Sequence, residues 1–245
     1  MKQARGFTLI EMAIVLVIVT ILIGGLAMPL SAQIQARRIA ETRSNMNSIR
    51  DALIGYAMSH TFIHESGETR HFLPCPDTDN DGQEEERNET DGSCPTTRGG
   101  LPWITLGVSG DDAWGNRYTY AVDKSFYSNN KLGFVSTPAA SLSGLNIYQS
   151  ASCTAPAVML DVPVVVVSHG PQGRGALNKN GGTPLAPASV ATDERQNLNI
   201  PNASLPCADP LKFVSHNPTE DFDDLVMWLS KYEIFNRVCP NTGCL

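Results

Sequence analysis

The chain has 245 residues, 42% of them apolar, and carries 18 basic against 25 acidic side chains, a formal charge of −7. That length supports one core of moderate size. The acidic balance makes nucleic acid an unlikely partner, because phosphate binding rests on Lys and Arg.

The N-terminus reads MKQARGFTLIEMAIVLVIVTILIGGLAMPL. A short basic leader with Lys2 and Arg5 ends at Gly6, and no side chain from Met12 to Ala36 is charged. Roughly twenty apolar residues rising about 1.5 Å each cover a hydrocarbon core of about 30 Å. The run therefore predicts a transmembrane helix over about residues 10–30. Glu11 stands at its edge. An ionisable group at that depth is costly and calls for a partner or a function. A glutamate that merely snorkels to the headgroups is the plainer alternative. An ordinary secretory signal would place its cleavage site after the apolar run, near small residues, whereas here the basic charges stop just before Phe7.

Gly6-Phe7-Thr8-Leu9-Ile10-Glu11 matches, residue for residue, the processing motif of type IV pilins and of the pseudopilins of type II secretion. The chain resembles that family strongly over its N-terminal helix and patchily beyond. The resemblance implies cleavage between Gly6 and Phe7 by a prepilin peptidase and methylation of the new amine on Phe7. It implies an inner-membrane precursor, with membrane lipid, other pilin or pseudopilin subunits and an inner-membrane assembly platform as partners. It also implies that Glu11 pairs with the N-terminal amine of a neighbouring subunit and so fixes the axial step of a filament. Two opposite charges in a low dielectric hold each other firmly when both are satisfied. Removal of the leader leaves 16 basic against 25 acidic side chains, or −9.

The helix is expected to run from Phe7 to His60. Thr42, Met46, Ile49, Leu53 and Tyr56 recur at steps of four and three, the stripe of a helix laid on a core. Gly24, Gly25 and Pro29 predict a kink or a melted stretch, since proline removes a backbone hydrogen bond and clashes with the preceding turn. His60 and His64 stand four apart, but no carboxylate or cysteine completes a ligand set, so a solvated helix end is the better reading.

Basic residues stay on the cytoplasmic side, which puts residues 61–245 in an oxidising compartment. The six cysteines at 75, 94, 153, 207, 239 and 244 are then expected to form disulfides. Fifteen pairings are possible. Sequence proximity favours Cys75–Cys94 and Cys239–Cys244, leaving Cys153–Cys207. Cys239 and Cys244 have no histidine beside them, which argues against zinc.

Residues 73–100 form a Pro-, Gly- and acid-rich loop. Within it, Asp77-Thr78-Asp79-Asn80-Asp81-Gly82 sets acids at alternate positions before a glycine, a pattern that wraps oxygens around calcium. Asp77, Asp79 and Asp81 would give side-chain ligands and Gln83 a carbonyl. The twelfth position of a full EF-hand loop is Asn88 rather than glutamate, so Glu85, Glu86, Glu89 or Asp91 would have to substitute. A Cys75–Cys94 bridge would close the base. Major pseudopilins hold calcium in a loop near the C-terminus; the corresponding stretch here, Gly170 to Asn178, has no aspartate, and that site is not carried over.

Asp112 to Asn116 is a turn signal, and Tyr118, Tyr120 and Val122 alternate onto one face of a half-buried strand. Trp114-Gly115-Asn116 with Tyr118 and Tyr120 is similar to the first strand region of major pseudopilins. Val162 to Ser168 predicts the central strand, residues 176–206 a long loop, Leu225 to Leu229 the last strand and Lys231 to Val238 a short closing helix. The expected fold is α+β, pilin-like: a leader over 1–6, a long N-terminal helix over 7–60, and a single domain over 61–245. In it the helix packs on a mostly antiparallel sheet with long disulfide-bonded loops.

No enzyme is expected. Gly170 and Gly175 have phosphate-loop spacing, but Ala176 stands where the lysine must be. Ser168 and His169 are adjacent on a strand and would face opposite ways, and no Gly-x-Ser-x-Gly elbow surrounds Ser168. The function expected is a minor pilin or pseudopilin. The alternative is an adhesin or DNA-uptake pilin whose loops bind an external ligand. A solitary anchored protein is a third possibility.

Overall fold

A computed structural model of the chain describes residues 7–63, 67, 69–90, 92–127, 144–154, 156–180, 192–198, 205–207, 209 and 211–239, with residues 24–30 described by backbone only. The chain divides into a helical unit, Met1–Glu41, and a compact unit, Thr42–Leu245. Helix α1, Leu9–Ser59, contributes to both. It continues through Gly24, Gly25 and Pro29 and does not melt there; the surrounding ladder of hydrogen bonds outlasts the one that proline removes. In the first unit every described side chain from Phe7 to Ile23 is exposed.

In the compact unit the stripe on α1 is buried at all five positions, with Ile49 and Leu53 fully enclosed. It packs on a four-stranded antiparallel sheet in the order β3 (Arg98–Gly100), β4 (Thr119–Val122), β7 (Val164–Ser168), β9 (Leu225–Leu229). Tyr120 pairs with Val166, and Val166 with Met227. Alternation along each strand sends Tyr118, Tyr120, Val122, Val164 and Val166 into one core with Met46, Ile49 and Leu53. Helix α4, Lys231–Val238, adds Ile234 and Val238 to that core.

The other face is covered too. Ala121, Val165 and Val167 meet Leu145, Ile147, Val162 and Phe213 in a second core. Those residues come from a three-stranded sheet in the order β6 (Ala157–Val162), β5 (Leu145–Tyr148), β8 (Lys212–Val214), in which only the β5–β8 pair is parallel. The half-buried strand expected at 117–122 is therefore buried on both faces, and so is the run of four valines that opens β7, the usual state of an unbroken apolar strand. The expected strand at 162–168 is two strands separated at Pro163, which offers no N–H for a ladder.

A two-stranded hairpin, β1 (Thr61–Ile63) and β2 (Thr69–His71), follows α1. Helix α2 (Trp103–Leu106) is one turn that stops at Gly107, φ +65°. Helix α3 (Thr192–Gln196) lies in the stretch expected to be loop. The Asp112–Asn116 turn ties three elements together. Asp112 Oδ1 accepts from the backbone N–H groups of Trp114 (2.9 Å) and Asn116 (3.0 Å), and its Oδ2 accepts from Ser168 Oγ (2.7 Å) at the end of β7. The Ala113 N–H donates to Thr42 Oγ1 on α1 at 3.2 Å.

Cys75–Cys94 and Cys153–Cys207 are disulfides, with Cα separations of 5.4 and 5.9 Å. Cys239 is also disulfide-bonded, while Cys244 lies outside the described residues.

Leu53→Ala is expected to lower unfolding stability by about 2–5 kcal/mol through the cavity it leaves. Ile34→Ala, at an exposed position of the helical unit, is expected to change it by less than about 0.5 kcal/mol. Urea unfolding of the detergent-solubilised chain, followed by tryptophan fluorescence, checks both.

Candidate functional site

Three groups of residues bear on function. At the head of α1, Thr8 and Glu11 cap each other. Glu11 Oε2 accepts from the Thr8 N–H and from Thr8 Oγ1, both at 2.8 Å, and the Glu11 N–H donates to Thr8 Oγ1 at 3.3 Å. This is a capping box, which satisfies donors that a helix start leaves free. Phe7 is exposed, and Gly6 lies outside the described residues. Among the described residues no helix is long and apolar enough to cross a membrane. The side chains of residues 24–30, inside the expected span, are not among them.

The second group is the acidic loop. Asp77 is buried; its Oδ1 accepts from the Asn80 N–H (2.7 Å) and its Oδ2 from the Gly82 N–H (2.9 Å). Burial raises its pKa, the two N–H groups oppose that, and the charges of Asp79 and Asp81 add to it. Gly82 has φ +88°, and a Cβ there would strike the Trp103 indole. Asp77, Asp79 and Glu85 each bring a carboxylate oxygen within 4.8 Å of the others. Asp81 stands outside this trio: its oxygens accept from the Gln83 backbone N–H (2.7 Å) and side-chain amide (3.0 Å). The trio has Glu85 where spacing suggested Asp81 and Gln83, and all four carboxylates accept from nearby backbone N–H groups. Glu85 in turn accepts from the Thr78 N–H (2.9 Å) and hydroxyl. Asp91, another candidate ligand, lies outside the described residues.

Sequence reasoning missed the lock beneath this loop. Glu84 accepts from the Tyr56 hydroxyl on α1 and from the Cys75 N–H (3.1 Å). Arg87 donates to Glu84 (3.0 Å) and to the carbonyls of Leu73 and Tyr127 (both 2.7 Å). Burial, with Glu84 beside it, pushes the Tyr56 phenol up. Nothing in a run of acids marks Glu84 as the one that turns inward.

The third group was also missed. Glu194 on α3 meets Asp223 and Asp224 at the head of β9, each offering an oxygen within 4.8 Å of the others. Gly170, φ +59°, packs so closely on the Asp223 carbonyl that no side chain fits there. Burial first, and then Asp223 and Asp224, raise Glu194 to about 8. Burial lowers Arg98 to about 9 against the pull of Asp224.

His60, His71, His169 and Ser168 make contacts within the fold. Ser168 and His169 are fully buried; Ser168 donates to Asp112, and His169 Nε2 lies 2.7 Å from Thr119 Oγ1. His60 stacks on Tyr56 at 3.8 Å, His71 Nδ1 lies 2.7 Å from the Ala57 carbonyl, and His64 is outside the described residues.

A protein-family model described as the prokaryotic N-terminal methylation motif matches residues 1–27. The chain carries that motif. It is consistent with the type IV pilins and pseudopilins, structural subunits rather than enzymes, made as precursors anchored in the inner membrane and cut by prepilin peptidase. The motif covers Gly6, Phe7 and Glu11 and ends before the compact unit begins. No curated protein and no solved structure matches the chain.

The raised Glu194 carboxyl has a signed consequence. Between its free value of 4.5 and about 8, the folded chain holds a proton that the unfolded chain has shed. Stability therefore falls as pH rises through that window, by up to about 1.4 kcal/mol per pH unit. In chelator, the melting temperature is expected to drop between pH 5 and pH 8, and Glu194→Gln to flatten the slope.

Proposed function

We propose that this chain is a minor pilin or pseudopilin: a filament subunit processed between Gly6 and Phe7, methylated at the Phe7 amine and assembled through its N-terminal helix. The methylation motif at residues 1–27 carries this reading. It is supported by an exposed apolar surface from Leu9 to Ile23, which needs lipid or neighbouring helices as cover. Membrane lipid serves the precursor; other subunits, loaded by an inner-membrane assembly platform, serve the filament. The compact unit would then sit on the periplasmic side. In this reading Glu11 gives up part of its hydrogen bonding to Thr8 and takes the amine of the next subunit, where charges of opposite sign in a dry environment attract strongly. Size and long loops favour a less abundant subunit over the main shaft protein.

Glu11→Ala is expected to insert and be cleaved as the native chain is, yet to be missing from the sheared filament fraction on immunoblots. A normal yield of mutant in that fraction would remove the role of Glu11.

We also propose that the 77–85 loop holds calcium, with Asp77, Asp79 and Glu85 as carboxylate ligands. The alternating acids before Gly82 and the meeting of those three side chains support this. Calcium would stiffen a loop already fastened to α1 through Glu84 and Tyr56. Asp79→Asn/Glu85→Gln is expected to reduce bound calcium by one ion per chain in equilibrium dialysis; an unchanged stoichiometry counts against the loop.

A further inference from the structure

The acidic loop continues into Glu86-Arg87-Asn88-Glu89-Thr90. Asn88-Glu89-Thr90 is an asparagine followed two residues later by a hydroxyl, the pattern read by enzymes that attach sugars to asparagine. The pattern is short, so its setting has to decide. Asn202-Ala203-Ser204 also fits it, while Asn217-Pro218-Thr219 is barred by its proline. Bacterial transferases of this class read, in addition, an acidic side chain two residues before the asparagine. Glu86 stands there for Asn88, whereas Ile200 stands there for Asn202.

The fold sets Asn88 where an enzyme reaches it. Glu86, Asn88, Glu89 and Thr90 are all exposed. Both ends of the turn are anchored. Arg87 donates to Glu84 and to the carbonyls of Leu73 and Tyr127, and Cys94 is buried in its disulfide with Cys75. Between these anchors the chain bonds to itself: the Asn88 N–H donates to the Ser93 carbonyl at 2.9 Å, and the Gly92 N–H to the Asn88 carbonyl at 2.8 Å. A group added at the tip therefore displaces nothing from the core. Asn88 Oδ1 accepts from the Thr90 N–H at 2.8 Å, which makes an Asx-turn. A carboxamide nitrogen is a weak nucleophile, because its lone pair is shared with the carbonyl. A donor on Oδ1 stabilises negative charge as it develops there and so eases the loss of an Nδ2 proton.

We propose that Asn88 is an acceptor for an N-linked glycan. Its Nδ2 forms a bond to the anomeric carbon of a sugar carried on a polyprenyl diphosphate. The bond from that carbon to the diphosphate oxygen breaks, the lipid diphosphate leaves, and one Nδ2 proton passes to a base of the transferase. Nothing is oxidised or reduced. In the cell the step rests on the proposed export of the compact unit, since donors of this kind are offered outside the cytoplasm. A sugar chain at the tip shields the loop from proteases, which favour such exposed segments.

The test uses full-length protein in detergent, incubated with a purified bacterial oligosaccharyltransferase and an oligosaccharide on polyprenyl diphosphate. Intact-mass and peptide mass spectrometry read the product. A single glycan at Asn88 is expected. Asn88→Gln is expected to lose it completely, Glu86→Gln to lose most of it with an unchanged melting temperature, and Asn202→Gln to keep it. A native chain left bare in a reaction that labels an acceptor peptide overturns the proposal, and so does a glycan that persists at full yield in Asn88→Gln. Failure of the export reading looks different: cells that make both transferase and donor leave the chain bare, while the purified chain is still modified at Asn88.

Discussion

An apolar helical surface that the chain does not cover governs everything else about this protein. Isoleucine, leucine and valine side chains from Leu9 to Ile23 stand in the open. Burying one such side chain is worth about 1.5–3 kcal/mol, so a surface of this extent cannot stay in water. Lipid or another apolar surface must take it up. Glu11 is the exception on that surface, and its capping box with Thr8 lets a charged group occupy the helix head without orphaned donors. In the proposed filament the same carboxylate meets an intermolecular amine once the leader is gone. In the proposed reading, membrane residence and polymerisation are two solutions to one solvation problem.

The compact unit solves its own problem differently. A sheet covered by helix on one side and by a second sheet on the other can afford a strand of consecutive valines, and its polar work is moved to the connections. The Asp112–Asn116 turn is fastened to α1 through Ala113 and to β7 through Asp112, Glu84 fastens the acidic loop to α1, and two disulfides close long loops. The two carboxylate groups differ in kind. Asp77, Asp79 and Glu85 are fed by local backbone and hydroxyl donors. Glu194, Asp223 and Asp224 crowd together in the interior, where burial favours a protonated Glu194.

Sequence patterns disclosed the parts governed by local periodicity. The α1 stripe from Thr42 to Tyr56, the strand at Leu225–Leu229 and the helix at Lys231–Val238 follow from spacing alone. Strands β5 and β6 did not announce themselves, since Leu145-Asn-Ile-Tyr148 is short and β6 carries Asp161 at positive φ. Double burial of β4 was hidden because Thr119 and Ala121 are weakly apolar and are buried only by a sheet formed elsewhere in the chain. Pairings across long sequence gaps were also illegible: Glu194 with Asp223 and Asp224, or Tyr56 with Glu84, arise from topology rather than pattern. The turn from Asp79 to Glu85, which brings Glu85 to Asp77 and Asp79, was likewise not written in the spacing of the acids.

A filament subunit of this kind must be cut between Gly6 and Phe7. Mass spectrometry of the protein isolated from cells that contain the peptidase reads the N-terminus directly. The expected result is a chain beginning with N-methylated Phe7, and a longer chain that keeps Met1 to Gly6 when the peptidase is deleted. A leader still attached in peptidase-containing cells, or an unmodified N-terminus produced by cleavage beyond the apolar run, would contradict it.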